Sequence, residues 1–261
     1  MNIFSLAYQV ILFEPIYNLL VFFTNILPGH YVGVSIILVT LVVRLILLPP
    51  SLHQARQAHA NQQKMTSLQQ KLNEVKKKHQ NDKAKQAEAT MALYREAGIN
   101  PASGCLPLLI QLPILIALYR VFLVGISPET YHYLYSFIPA PTTVQTMFFG
   151  VSLVEPNIIF GIIAGVAQFV LMKFFTGSPA STPGSNEETA QMMASMQKNM
   201  AYMFPVMTVF ITLQVPSALA LYWIASTLFA IIQQYYFKRA LHLSSNIPTV
   251  WTTHLHPKAY L

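Results

Sequence analysis

The feature that most constrains this chain is a series of long uninterrupted apolar runs, at residues 33–48, 106–124, 157–175, 200–215 and 218–237. Each approaches the ~20 residues that a helix needs to cross the hydrocarbon of a bilayer. They are continuous rather than alternating, so they read as helices and not as strands of a barrel. Charged residues make up only 10% of the 261-residue chain and hydrophobic ones 54%. A soluble domain carries about 25% charged residues, so this surface suits lipid rather than water. Taken as one helix, residues 200–237 would run about 57 Å, nearly twice the ~30 Å hydrocarbon thickness. Pro216 between Val215 and Ser217 therefore predicts a tight hairpin between two spans.

Basic residues orient the spans. Residues 51–97 hold Arg56, Lys64, Lys71, Lys76, Lys77, Lys78, Lys83, Lys85 and Arg95 against Glu74, Asp82, Glu88 and Glu96, whereas residues 1–30 and 125–156 contain neither Lys nor Arg. The expected plan starts with an outer interfacial amphipathic helix (1–30), span 1 (31–50) and a cytoplasmic helical hairpin (51–105). Span 2 (106–125), an external loop (126–156), span 3 (157–176) and a cytoplasmic loop (177–199) follow. Spans 4 (200–216) and 5 (217–237) and a cytoplasmic tail (238–261) complete it. The N-terminus then lies outside and the C-terminus in the cytoplasm. Leu6, Val10, Phe13, Tyr17 and Leu20 make one stripe along the first helix. Ala, Gln, Lys and Glu dominate the hairpin and favour helix, with a turn expected at Asn81-Asp82 and few apolar anchors. The lack of a basic start argues against a cleaved signal peptide. The single Cys105 leaves no intrachain disulfide framework.

Arg44 is the residue with most to say. It lies about 6 Å inside the Leu48-Pro49 end of the first span, where an Arg at mid-helix costs roughly 2.5–3.5 kcal/mol. No acidic residue occurs in any of the five runs. Two arrangements remain open: the side chain snorkels to the inner interface, or it faces a water-filled cavity open to the cytoplasm. Thr40, Gln111, Gln168, Thr208, Thr212, Thr227, Gln233 and Gln234 could line such a cavity. Trp223, Thr227, Ala230 and Gln234 share one helix face. A Thr hydroxyl can equally bond its own helix backbone, but an amide in lipid needs partners. Gly161 and Gly165 read as a helix-packing pair. All His residues lie outside the runs, and no metalloprotease, nucleophile-elbow or phosphate-loop motif occurs. No enzyme activity, cofactor or metal is expected.

Three segments carry a resemblance. The first is Ile36-Ile-Leu-Val-Thr-Leu-Val-Val-Arg44-Leu-Ile-Leu-Leu-Pro49. The second is Asn100-Pro101, then Gly104-Cys-Leu-Pro-Leu-Leu-Ile-Gln111-Leu-Pro113-Ile and Ala117-Leu-Tyr119. The third is Phe204-Pro205 with Met207, then Pro216-Ser217, Leu219, Leu221-Tyr222-Trp223 and Gln233-Gln234. Together they resemble the YidC/Oxa/Alb membrane-protein insertases in their short five-span form. The resemblance implies an all-α membrane protein whose five transmembrane helices enclose a hydrophilic groove open to the cytoplasm. It implies groove residues Arg44, Thr40, Gln168 and Trp223, with Leu112 and Leu115 on the client-facing second span; Gln111 joins them from its own polarity. It further implies insertion of hydrophobic segments of nascent proteins without ATP, in a bacterial-type cell membrane. The implied partners are nascent membrane proteins, membrane lipid, the ribosome and the Sec translocon, with no specific nucleic-acid sequence. Ala218 stands where the family has Gly, Thr227 where it has Asn, and the tail after residue 237 holds only Lys238, Arg239 and Lys258 as basic residues. A small-solute transporter or channel is the alternative class, but paired broken helices and intramembrane carboxylates, the usual marks of transporters, are missing from the sequence.

Overall fold

A computed structural model describes residues 3–80, 82–99, 106–175, 199 and 202–245. Asn81, Cys105, the start of the second motif, most of the 177–199 loop, and the tail with His254 and His256 lie outside these. The described chain is mostly helical, with one two-stranded hairpin inside the irregular segment between α6 and α7. The helices are α1 (Ile3–Tyr8), α2 (Glu14–Ile26), α3 (Val32–Ile46), α4 (Leu48–Lys78), α5 (Lys83–Glu96), α6 (Leu106–Val124), α7 (Ile158–Phe175), α8 (Tyr202–Thr212) and α9 (Ser217–Ser245).

α9 is the central element. It packs most extensively on α7, then on α3, and also touches α6. The principal core joins Ile36 and Val39 of α3, Leu118 and Val121 of α6, and Leu219 to Tyr222 of α9, together with Phe13, Tyr17 and Leu20. Gly165 lets α7 approach α8 closely: a Cβ there would lie 2.4 Å from Val209 Cγ2 and 3.2 Å from the Pro205 carbonyl oxygen. α3 and α4 meet at a bend of 60° around Leu47. Pro49 and Pro50 sit in the first turn of α4, where their missing N–H groups cost nothing and their fixed φ starts a new helix.

The N-terminal segment differs from the single expected stripe in its first turns. A π-helical turn at Gln9–Phe13 joins α1 to α2, and its extra residue rotates everything before it. Phe13, Tyr17 and Leu20 are therefore buried, while Leu6 and Val10 of the expected stripe are exposed. In addition, Ser5–Ile26 is a run of 22 residues, long and apolar enough to cross a membrane. One side of it meets residues of the 126–156 loop: Tyr17 Oη bonds the Thr130 hydroxyl at 2.7 Å, Asn18 donates to the Tyr133 carbonyl at 2.8 Å, and Asn25 donates to the Pro139 carbonyl at 2.7 Å. The other side, with Leu12, Ile16 and Leu19, lines an apolar cavity against Val42, Val43 and Ile46 of α3. By length alone, Ser217–Ala240 also qualifies as a span, and α3 with the start of α4 would be a third, bent one. Ile110–Val124, Ile158–Lys173 and Tyr202–Thr212 are apolar but shorter.

α4 and α5 form a separate helical hairpin. Asp82 caps α5 through the Lys85 backbone N–H at 3.0 Å, which holds its carboxyl below the ordinary range. The hairpin has more of a core than its sparse apolar residues suggest. Leu68, Leu72 and Ile99 are buried with Met65, Leu93 and Tyr94 packed around them, and burial pushes the Tyr94 phenol up. The Lys71–Glu96 pair, at 3.9 Å and largely exposed, contributes little. Leu72→Ala should cost about 2–5 kcal/mol, a large share of so small a cluster. Hydrogen exchange is expected to rise across α4 and α5 while α3, α6 and α9 keep their protection. Unchanged exchange in the hairpin would show that this cluster does not hold it.

Candidate polar cavity between α3, α6 and α9

Tyr222, Ser226 and Gln233 fall at i, i+4 and i+11 on α9 and so share one face. Each reaches a different element. Gln111 of α6 donates its Nε2 to Tyr222 Oη at 2.7 Å. Arg44 of α3 donates from Nε to Ser226 Oγ at 2.9 Å, and its Nη2 reaches the same oxygen. Gln233 donates its Nε2 to the Ser51 hydroxyl of α4 at 2.9 Å. The three contacts climb about 16 Å of helix and tie three neighbours to one surface.

Beside this seam lies a cavity of about 210 Å³, lined by Arg44, Leu47, Ser51, Gln54, Ile110, Gln111, Gln233 and Gln234 among others. Its polar lining is one guanidinium, several amides and a hydroxyl. Among the described residues no carboxylate pairs with Arg44. Its acceptor is the Ser226 hydroxyl, which bonds a cation without cancelling its charge. A half-buried cation without a counter-charge is costly in an apolar setting. The cavity is therefore suited to water or to an anionic or strongly polar group.

The residues singled out from sequence separate here. Arg44 and Gln111 line the cavity, as do Ala230 and Gln234 of the expected α9 face. Thr40 is fully buried and spends its hydroxyl on the Ile36 carbonyl at 2.6 Å. Thr208 and Thr212 likewise bond their own helix backbone. Gln168 is buried in α7, and Trp223 is half-buried on α9, but neither is among the cavity-lining residues. Leu112 is exposed on α6, and Leu115 packs against the core. Ser226, Ser51, Gln54 and Tyr222 were not anticipated. The signal was present: the Tyr222, Ser226, Gln233 face lies one residue, about 100°, from the Trp223, Thr227, Gln234 face.

These features define a helical membrane protein with a polar cavity set among apolar helices. The chain belongs to the family described as 60Kd inner membrane protein, whose model matches residues 22–244. It is similar to the membrane protein insertase YidC of Fusobacterium nucleatum, 37% identical over 230 residues, which cover 86% of this chain and 97% of that protein. The membrane protein insertase MisCA of Bacillus subtilis is 31% identical over 226 residues, 86% of this chain and 76% of its own length. The YidC of Shewanella woodyi is 36% identical over 227 residues, but these are only 36% of that longer protein. The names of these relatives denote an insertase and not a catalysed reaction, and they place the chain among bacterial membrane proteins.

Ser226→Ala should strand the Arg44 donors, at a cost of about 1–3 kcal/mol, whereas Ser226→Thr keeps a hydroxyl. Thermal unfolding of the purified protein in detergent is expected to show a lowered midpoint for Ala and partial recovery for Thr. Equal midpoints for Ala and the native protein would remove Ser226 as the acceptor on which Arg44 depends.

Proposed function

We propose that this protein inserts hydrophobic segments of nascent membrane proteins into the bilayer, without ATP, using the cavity around Arg44 as a hydrophilic groove. The observation that carries this is Arg44 itself, a cation bonded to a hydroxyl and left with no carboxylate partner among the described residues. Water in the groove hydrates the polar flank of a client segment, and Arg44 draws in its acidic residues. The apolar part then moves into lipid, favoured by about 25 cal/mol per Å² removed from water. Leu112, exposed on α6, offers it a lipid-facing surface. Gln168 and Trp223 stay in this reading as groove residues reached when the helices part. The basic α4–α5 hairpin meets the incoming chain in the cytoplasm. Ribosome and Sec translocon are the proposed delivery partners, on the strength of the family resemblance.

This reading has α3, α6, α7, α8 and α9 all crossing the bilayer, the shorter ones included, with residues 51–105 and the C-terminus in the cytoplasm. Residues 1–30 then lie on the outer side, supported by their lack of Lys and Arg and by the bonds of Tyr17, Asn18 and Asn25 to the equally Lys- and Arg-free loop.

Two measurements bear on this. In a Cys105→Ser background, cysteines at Ser5 and His132 should react with an impermeant reagent from outside, and one at Lys78 only after the membrane is opened. External reaction at Lys78 would reverse the orientation, and protection of Ser5 from outside would make Ser5–Ile26 a sixth crossing. Second, if positive charge is what matters, Arg44→Lys should retain most insertion of a client with an acidic translocated segment, and Arg44→Ala should lose about tenfold, equivalent to about 1.4 kcal/mol. The loss should be smaller for a neutral client, and salt should weaken it only partly in a cavity walled by low dielectric. Native activity of Arg44→Ala on the acidic client would refute the charge role. Equal loss from Lys and Ala would instead assign the guanidinium fork.

A further inference from the structure

The loop joining α6 to α7 carries a small hairpin, β1 (Met147–Phe148) paired antiparallel with β2 (Val151–Ser152), with Met147 opposite Ser152 and Phe148 opposite Val151. Its two turn residues both have left-handed backbones, Phe149 at φ 49 and Gly150 at φ 77. This is the tight two-residue connection in which Asn-Gly or Asp-Gly is the favoured pair. Gly150 fits it freely. A bulky aromatic at positive φ is an outlier, and such strain is a reason to look for a role beyond the turn itself.

The ring of Phe149 is 91% exposed, more than any other large apolar side chain described. It is nonetheless held in place. It sits edge-on to Phe148 at 4.7 Å, and Phe148 lies so close to α3 that a Cβ on Gly33 would be 2.3 Å from its ring. The hairpin is bonded to the starts of two helices. Val32 N–H donates to the Gln145 carbonyl at 3.0 Å, Ala218 N–H to the Leu153 carbonyl at 2.9 Å, and Ser217 N–H to the Glu155 carbonyl at 3.0 Å. The tip is thereby fixed at the level where α3 and α9 begin. Residues 137–154 contain no charged side chain, and Phe137, Val154 and Ile158 are exposed at 77%, 59% and 59%. A loop bathed in water has no reason to present such a surface, whereas the headgroup–acyl boundary of a bilayer takes up exposed Phe and aliphatic side chains.

We infer that Phe149 is a lipid anchor, a wedge that the hairpin holds in the interfacial layer of the bilayer at the outer ends of α3 and α9. The partner is the lipid surface itself, at the depth of the glycerol and first acyl carbons, with no headgroup charge required because residues 137–154 offer none. By pinning the hairpin, the anchor sets the depth of the two helices that carry Arg44 and Ser226. The inference rests on the proposed crossing of α3 and α9, but not on insertase activity.

The test uses the full chain in liposomes of neutral phosphatidylcholine, with Cys105→Ser and a single Phe149→Cys labelled by an environment-sensitive fluorophore. A label at His132, in the charged part of the same loop, serves as the aqueous control. The label at 149 is expected to emit at shorter wavelength than at 132. It should be quenched more by lipids with a nitroxide near the headgroup than by lipids with one deep in the chain, and resist external iodide. Phe149→Asn, which tolerates the positive φ, should keep the fold while a label at Met147 loses most of its lipid quenching. Emission and iodide access at 149 equal to those at 132, from outside, would overturn the anchor while leaving the topology intact. Access only from the inside would overturn both. Shielding in native membranes but not in liposomes would overturn it in favour of a protein partner.

Discussion

A cation among apolar helices that has a hydroxyl for a partner and no carboxylate among the described residues is the constraint around which this molecule is arranged. Arg44 and Ser226 face each other across α3 and α9, and their bond leaves the full positive charge in place. Low-dielectric surroundings make that state unfavourable unless water or an anion can approach. A fully dry, close-packed bundle is therefore not available to these helices. The core closes tightly around Leu118, Val121, Leu219 and Ala220, and opens into the cavity about two to four turns away, where Arg44, Gln111 and Gln233 converge.

The other polar contacts on α9 follow from the same requirement. An amide buried among helices needs a partner, and Gln111 and Gln233 take Tyr222 and Ser51. Gln233 has a second consequence. Its bond to Ser51 ties the root of α4 to α9, directly after the 60° bend at Leu47. The direction in which the α4–α5 hairpin leaves the bundle is thus set by the same helix face that receives Arg44. Movement of α4 would be felt at the cavity, because Ser51, Gln54 and Leu47 form part of its wall.

Much of this was legible in the residues. The apolar runs overlie α3, α6, α7, α8 and α9, the break before α4 follows from Pro49-Pro50, and the cap of α5 follows from Asp82. The unusual position of Arg44 was legible too, because a charge in an apolar run stands out whatever its surroundings. Gln111 was recoverable on the same ground. The β1–β2 hairpin was not anticipated: nothing in Met-Phe-Phe-Gly-Val marks a turn except Gly150, and Phe149 is a residue that local preference would keep out of a positive φ. Nor was the small core of the α4–α5 hairpin apparent, since Ile99 lies beyond the helices that it helps to join.

What the sequence determined by itself was the class of solvent, the helical state of the chain and the presence of basic but no acidic residues in the apolar runs, because hydropathy, backbone satisfaction and ionisation are properties of residues and their near neighbours. What the tertiary structure alone decided was angular. Ser226 rather than Thr227 receives Arg44, because packing on α7 and α3 sets the rotation of α9, and one residue is about 100° of helix. Phe13 and Tyr17 are buried while Leu6 and Val10 are not, because a π-turn at Gln9–Phe13 shifts the phase between them. A periodic pattern specifies that a helix has a face. Only the neighbours it packs against specify which way that face points.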